Sequence, residues 1–221
     1  MLELDHIFVC VADENNAVRT LTKFGLNLSP RRIHSGQGTA NRVAFFDNAY
    51  LELLLQNNDE DLQSQVVQTV SLWERMQWKY TGASPFGVAF RFIADVEPHI
   101  PIPTRPYDAP FLPPGISMPI ATPQDYIREP LIFFSLVAEA PINLDRIKPS
   151  SLEHKGSHHQ LTKVEITTLA ADLSPQLQWF CDRQLLSIDR GQEHHAELEW
   201  DYAKSGHRFD FRPILPFSIR W

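Results

Sequence analysis

Apolar and polar positions follow two periods along this chain, one typical of strands and the other of helices. Residues 4–11 are short, apolar and partly β-branched, which predicts a strand. Apolar residues then recur at helical spacing over residues 17–24. Asp13 is placed to cap this helix, and Gly25 is placed to end it.

Three more strands are predicted directly after this helix. Residues 26–33 form the first, and residues 41–46 and 49–56 form a hairpin with Asp47 and Asn48 at the turn. The resulting order is β-α-β-β-β, which is a supersecondary unit of about 55 residues.

The middle of the chain has a different pattern. Helical periodicity over residues 59–80 predicts a helix lying on the sheet, and residues 85–93 predict a strong strand. Many of the 17 prolines follow, so this stretch is expected to be irregular or extended, with one clear strand at residues 131–138.

The pattern of the first unit returns near the end of the chain. At an offset of 159 positions, Ile7 meets Ile166 without a gap, and Ser174-Pro175 suits a helix start. Strands are predicted at residues 196–202 and 208–221. The repeat predicts an α+β fold of βαβββ modules that form curved mixed sheets around a cleft. The modules are 1–56 and 159–221, with a helix and a proline-rich segment at 57–158, all in one compact unit.

Composition narrows the class of protein. Apolar residues make up 43% and charged residues 21%, as in soluble globular proteins. A net charge of −7 argues against a nucleic-acid partner, and no apolar run is long enough for a membrane span. Two cysteines and an N-terminus without signal-peptide features predict a cytoplasmic protein.

Several short motifs in the N-terminal 56 residues occur in a specific order. They are Asp5-His6, His34, Gly-Thr-Ala-Asn-Arg at 38–42 and Tyr-Leu-Glu-Leu at 50–53. In this order and spacing the chain resembles the glyoxalase-like domain family of the vicinal oxygen chelate superfamily. The resemblance implies a curved sheet around a cleft that acts on or binds a small oxygen-rich organic molecule.

The resemblance also implies a metal site. In such proteins a His of the first strand and a Glu of the last strand of a module hold a divalent metal, and His6 and Glu52 match these positions. Imidazole and carboxylate suit zinc, iron, manganese or nickel, and Glu52 is also the catalytic candidate. Strand alternation supports a cleft position for Glu52, because Leu51, Leu53 and Leu55 form the opposite, apolar face.

The remaining ligands are harder to assign. The repeat offset puts Glu165 at the mate of His6, which makes it the third metal candidate, but it puts Phe211 at the mate of Glu52, one residue from Asp210. The chemistry therefore stays open between a metal-dependent lyase, isomerase or dioxygenase and a metal-free protein that binds or sequesters a small molecule. A third alternative is an interaction protein with a vestigial cleft, in which Trp200, Phe217 and Trp221 pack a dimer.

Five polar residues are candidates for contacting the small molecule. His34, Asn41 and Arg42 lie near strand ends, and Arg105 flanks the proline-rich stretch, where a guanidinium can hold a carboxylate. Neighbours on a strand point to opposite faces, so one member of the pair His158-His159 can face the cleft, and His159 is the candidate.

Overall fold

A computed structural model describes residues 2–93, 100–122, 127–135, 139–156 and 158–221. The α+β class predicted from the sequence is confirmed. An eight-stranded mixed sheet contains β1 (Leu2–Val11), β2 (Arg32–His34), β3 (Thr39–Phe45), β4 (Tyr50–Gln56), β5 (Phe86–Phe92), β6 (Thr104–Tyr107), β7 (Met118–Ala121) and β8 (Leu131–Phe134). A five-stranded mixed sheet contains β9 (Leu161–Thr168), β10 (Ser187–Arg190), β11 (His195–Trp200), β12 (Arg208–Asp210) and β13 (Phe217–Arg220). The helices are α1 (Glu14–Phe24), α2 (Asp59–Leu62), α3 (Gln65–Gln68), α4 (Leu72–Met76), α5 (Trp78–Thr81) and α6 (Pro175–Asp182).

The eight-stranded sheet consists of two halves with the same internal order. Its strands run β2-β3-β4-β1-β5-β8-β7-β6, and the halves meet where β1 and β5 pair antiparallel. In each half the first strand pairs in parallel with the fourth. The sequence does not indicate which modules pair, and in the structure β5, β8, β7 and β6 complete the sheet begun by the N-terminal module.

The five-stranded sheet reproduces the centre of the larger one. Its order is β10-β9-β11-β13-β12, with β9 antiparallel to β11 and parallel to β10. This is the arrangement of β4-β1-β5-β8-β7 in the larger sheet. The pattern repeat that is visible in the sequence therefore corresponds to a repeated strand arrangement.

One hydrophobic core lies between the two sheets. Ile7, Val9, Leu51 and Leu53 contribute from the larger sheet, and Leu21 of α1 and Phe180 of α6 pack into the same core. From the smaller sheet come Val164, Ile166, Leu198, Trp200, Phe217 and Ile219. Trp200 and Phe217 are thus buried within the chain itself, so neither is available to the dimer interface considered from the sequence.

The helices α1 and α6 are capped by the residues that the sequence predicts. The Asp13 carboxylate accepts from the Asn16 backbone N–H at 3.0 Å, and Gly25 ends α1 with φ 115°. Such a left-handed backbone favours glycine. At α6 the Ser174 hydroxyl accepts from the Leu177 N–H.

The single helix predicted over residues 59–80 is wrong. Four helices of four or five residues replace it, and the chain breaks at Ser71, whose φ is 53°. Most apolar positions of the segment are buried, because Leu62, Val67, Leu72 and Met76 pack on the face of the eight-stranded sheet away from the main core, whereas Val66 is exposed. Helical periodicity identified the buried face but not the turns between the pieces. Within the described residues, no helix combines the length and apolarity needed to cross a membrane.

Several strand predictions also change in extent. The strand predicted at residues 26–33 is reduced to β2, and residues 208–221 divide into β12 and β13 around a turn. β6 and β7 lie in the proline-rich stretch, where Pro106 and Pro119 face each other. An edge strand tolerates proline better than a central one does, and β6 is the sheet edge. Of the strand predicted at 131–138, residues 136–138 lie outside the described part.

Candidate functional site

A cavity of about 1000 Å³ opens on the face of the eight-stranded sheet that points away from the core. Two rows of paired residues cross its floor. The first is Tyr50, His6, Ala89 and Phe133, and the second is Glu52, Phe8, Gly87 and Leu131. Both halves of the sheet therefore contribute to one cleft, and its most polar part lies on β1 and β4.

Asp5 and His6 are neighbours in the chain yet contact each other directly. The pairing of β1 with β5 shifts between Leu4 and His6, which leaves Asp5 as the extra residue of a β-bulge. A bulge redirects a side chain that would otherwise alternate to the opposite face. The Asp5 Oδ2 atom accordingly lies 2.6 Å from His6 Nδ1, and both side chains are buried. Arg91, itself buried, approaches the other Asp5 oxygen at 3.5 Å.

Glu52 faces His6 from the adjacent strand. The distance from Glu52 Oε2 to His6 Nε2 is 3.6 Å. The other carboxylate oxygen of Glu52 accepts a hydrogen bond of 2.7 Å from the Asn41 side-chain amide. His6 is 6% and Glu52 7% exposed, so these groups meet where water is largely excluded.

This geometry fixes how the imidazole of His6 presents itself. Because a carboxylate only accepts hydrogen bonds, Asp5 favours a proton on Nδ1, and Nε2 faces Glu52 and the cleft. The Tyr50 ring stacks on the imidazole at 4.2 Å between centroids, and Phe133 meets it edge-on at 5.2 Å. Burial, reinforced by Asp5 and Glu52, raises the pKa of Tyr50 well above its ordinary value, so the phenol is a neutral hydrogen-bond donor.

A second polar chain joins the two walls of the cleft. Tyr107 of the proline-rich half donates to the Gln37 side-chain oxygen at 2.9 Å, and the Gln37 amide donates to the Thr39 hydroxyl at 2.8 Å. His34 Nδ1 lies 2.9 Å from the same hydroxyl, and Phe111 stacks on the His34 ring. Burial lowers the pKa of His34, so its neutral form is favoured.

The structure brings together some of the residues predicted from the sequence and separates others. His34 and Asn41 line the cleft with His6 and Glu52. Arg42 lies on the opposite face of β3, where it donates to Glu14 of α1 at 2.9 Å, as strand alternation from Asn41 requires.

Arg105 and His159 also lie outside the cleft lining. Arg105 donates to the backbone carbonyl of Thr69, and the next cleft-facing side chain of its strand is that of Tyr107. His159 is exposed in the segment before β9, where its backbone pairs with Asp47 and Asp201.

Glu165 is on the five-stranded sheet rather than beside His6. Lys163 contacts one of its carboxylate oxygens at 2.7 Å and Arg220 the other at 2.5 Å. At the remaining repeat positions, Asp210 is paired with Arg212 and Phe211 is buried in the core. The repeat therefore places these residues in a second sheet of similar order, and the two sets do not converge on one site.

The two donors His6 and Glu52 can be compared with the needs of a metal ion. Their 3.6 Å separation is close to the roughly 3.4 Å between two ligands of one tetrahedral zinc ion. A carboxylate behind the imidazole is also the usual support of a metal-binding His. However, Ala89 and Phe133 occupy the neighbouring row positions, and the described residues include no group of three or more His, Cys, Asp or Glu side chains that could hold an ion. The protein donors thus amount to half of a metal site.

Several cleft residues could not have been selected from the sequence. The adjacency of Asp5 and His6 is visible, but their contact requires the bulge. Tyr107, Arg146 and Lys148 come from the proline-rich half and the segment after it, where no motif marks them. Only the pairing of the two halves brings them to the same cavity.

Comparison with known proteins bears on the fold and on the N-terminal module. Residues 4–98 match the model of a family described as a glyoxalase-like domain. A crystal structure of a hypothetical protein from Staphylococcus aureus is similar over 100% of this chain and 99% of that one, with a TM-score of 0.57 and 14% identity, which concerns the fold alone. No curated protein sequence matches. The match over residues 4–98 confirms the resemblance to the glyoxalase-like domain family of the vicinal oxygen chelate superfamily that the sequence predicts.

Proposed function

We propose that the cleft binds a small oxygen-bearing organic molecule beside Asp5, His6 and Glu52, and that His6 exchanges a proton with it. The observation that carries this proposal is the buried contact of Asp5 with His6 Nδ1, with His6 Nε2 turned toward Glu52. The cavity volume of about 1000 Å³ suits an organic molecule rather than a single ion.

The orientation of the His6 imidazole, with Nδ1 on Asp5 and Nε2 toward the cleft, suits proton transfer with a bound molecule. Nε2 of His6 accepts a proton from an acidic C–H or O–H of the bound molecule, and the Asp5 carboxylate stabilises the imidazolium that forms. Glu52, held by Asn41, then accepts a hydrogen bond from the imidazolium or from a ligand hydroxyl. Loss of a proton from the carbon next to a carbonyl leaves an enolate, and the His6 imidazolium returns a proton to that carbon at the end of the cycle.

Ligand binding is tested first with a library of small carbonyl and hydroxy acids, measured by thermal shift and by the imidazole NMR signals of His6. His6→Gln is expected to weaken binding of every hit by about tenfold or more, because it removes a buried polar contact. His159→Gln is the matched control, since His159 is exposed and lies outside the cleft. Equal affinity of the two variants would contradict the proposal.

Proton exchange is tested with the same hits in D₂O. Wild-type protein is expected to exchange the α-hydrogen of a bound carbonyl compound for deuterium, as followed by NMR, and Asp5→Asn is expected to slow this exchange by about a hundredfold. Glu60→Asn, at an exposed position on α2, serves as the control. Binding without exchange in wild type would leave a binding protein and remove the catalytic part of the proposal.

The metal-dependent alternative is favoured by one observation, the 3.6 Å between His6 Nε2 and Glu52 Oε2. In this alternative His6 and Glu52 would hold a divalent ion, and the chemistry supplied would be Lewis-acid stabilisation of ligand oxygens. Calorimetric titration with Zn²⁺, Mn²⁺ and Ni²⁺ is expected to give one site per chain that is lost in both His6→Ala and Glu52→Ala. Retention of the metal in both variants would exclude this alternative.

A further inference from the structure

The cleft has a polar wall and an apolar wall. On the N-terminal half, His6, Glu52, Asn41, His34 and Gln37 supply polar groups. On the other half the lining is apolar, and its main members are Phe111, Leu112, Met118, Ile120, Leu131 and Phe133. A ligand made only of oxygen-bearing groups would leave this second wall without a partner, and burying apolar ligand surface against it would be favourable.

Polarity also changes along the strands of the floor. Tyr50 and His6 share one row, Glu52 and Phe8 the next, and Leu54 and Cys10 the row after that. Successive rows on one face are about 7 Å apart. Val70 and Leu72 also line the cleft, and they belong to the same buried cluster as Leu54 and Cys10. The cleft thus becomes apolar with distance from Tyr50.

Three cations stand around the Tyr50 end. Arg32 shares the cleft face of β2 with His34, and Arg146 and Lys148 come from the segment at residues 139–151. All three are exposed and lack an ion-pair or hydrogen-bond partner among the described residues. The charges of Arg32 and Arg146 also act to lower the pKa of Tyr50, although burial dominates and raises it.

Such a cluster is unusual in this chain. Acidic residues outnumber basic ones by 27 to 20, and most cations near the sheets are paired, as Arg42 is with Glu14 and Arg91 with Asp5. Of the three carboxylates in the described lining, Asp5 pairs with Arg91 and Glu52 accepts from Asn41, so Glu139 is the carboxylate left to face the three cations.

We propose that the occupant of the cleft is an amphipathic organic anion, with its anionic group at Arg32, Arg146 and Lys148 and an apolar chain or ring on the Phe8, Leu131 and Phe133 floor. This inference rests on the proposed function, because it assigns a substrate class to the same cleft. The Tyr50 hydroxyl, a neutral donor without a hydrogen-bond partner in the described residues, is available to the same anionic group. An oxygen-bearing carbon next to that group would then lie beside His6.

The test uses sodium decanoate, the neutral analogue 1-decanol and the short anion acetate, measured by calorimetry on the full chain at low and high salt. Decanoate is expected to bind at least about tenfold more tightly than either analogue, and its advantage over decanol is expected to shrink at high salt. The triple variant Arg32→Gln, Arg146→Gln, Lys148→Gln is expected to lose about tenfold in decanoate affinity and nothing in decanol affinity.

A charge-matched control is available on the helices. Arg19→Gln, Lys23→Gln, Lys79→Gln removes three exposed cations outside the cleft and should leave decanoate binding unchanged. Equal affinity for decanoate and decanol, equal losses in both triple variants, or no binding of decanoate would each overturn the amphipathic anion. In those cases the library screen with His6→Gln still decides the proposed function, while decanoate binding unaffected by both His6→Gln and Phe133→Ala would contradict both.

Discussion

The two sheets of this protein have similar strand orders, but their outer faces differ in how far other parts of the chain cover them. On the eight-stranded sheet, the short helices and the proline-rich half cover the outer face, and Glu52 lies buried opposite His6. On the five-stranded sheet the outer-face carboxylates Glu165, Glu197 and Glu199 are partly exposed and are paired with Arg220 instead. Glu52, which is buried and has no Lys or Arg partner among the described residues, can therefore interact with a bound molecule, whereas Glu165 is already neutralised by Arg220.

The comparison predicts very different costs for removing one side chain from the outer face of each central strand. Phe8→Ala should lower the free energy of unfolding by roughly 3–5 kcal/mol, because the ring is 4% exposed and packs on the cleft floor. Glu165→Ala on β9 should cost less than about 1 kcal/mol, since its ion pairs are partly exposed. Urea denaturation measures both.

A double variant sharpens this first prediction. A Cβ atom at Gly87 would lie 2.1 Å from the Phe8 ring, so Gly87→Ala should destabilise wild-type protein. In the Phe8→Ala background the clash is absent, and the same change should be close to neutral. Additive effects of the two substitutions would show that Phe8 and Gly87 do not share the space assigned to them.

Acid should destabilise both sheets through buried histidines. Burial lowers the pKa of His34, His154, His158, His194 and His195 below the usual 6.5. The unfolded chain then binds protons more readily than the folded one, so the stability from these groups is complete above pH 6.5 and is lost as the pH falls below it. Urea midpoints at pH 7.5 and pH 5.5 measure the loss. His158→Phe, at a ring stacked on Phe24 and Trp200, should reduce this loss, and an unchanged pH dependence would contradict it.

The covered face should depend on the polar chain that joins its walls. Tyr107→Phe removes the donor to Gln37, whose oxygen stays buried, and should cost about 1–3 kcal/mol in urea denaturation. Tyr80→Phe is the matched control, because Tyr80 is 89% exposed. Equal stability of the two variants would mean that the walls are held by packing alone.

The smallest effect is expected on the open face. Arg220→Gln leaves three carboxylates without their shared cation and should cost at most about 1 kcal/mol at low salt, with little cost at high salt. Arg190→Gln, whose partner Asp172 is 90% exposed, should be neutral at either salt concentration. A large, salt-independent cost at Arg220 would show that this face is more enclosed than the structure indicates.

Local features of the fold follow from the sequence because their causes are local. The strand at β1, the caps at Asp13 and Ser174 and the hairpin turn at Asp47-Asn48 depend on residues within a few positions of one another. β6 and β7 escape the pattern because Pro106 and Pro119 interrupt the alternation by which a strand is predicted. The break at Ser71 escapes it because a helical pattern continues across a residue whose backbone is not helical.

The residues of the candidate site likewise include some that local sequence patterns identify and others that only tertiary packing brings to the cleft. His6, Glu52, Asn41 and His34 belong to one module, so the resemblance and strand alternation could select them. The prediction that Arg42 contacts the ligand is not met. Arg42 follows Asn41 directly on β3, so its side chain faces the opposite side of the sheet and contacts Glu14. Glu165 was selected through the repeat, which specifies strand order within each sheet but not which halves meet. Contacts between halves depend on tertiary packing, and no short-range pattern encodes them.

Because Asp5 lies in a bulge, its contact with His6 can be lost or gained without a change in the strand pairing that forms the sheet. Leu4 pairs with Phe90 and His6 with Ala89, so the extra residue sits outside the register of β1. Loss of the codon for Asp5 would leave a regular strand with Ile7 and Val9 still in the core, and His6 would remain in the cleft without its carboxylate. Descendants of such a deletion would keep the sheet and the cavity as a binding protein while losing the paired imidazole, and a later insertion of one acidic residue would restore it.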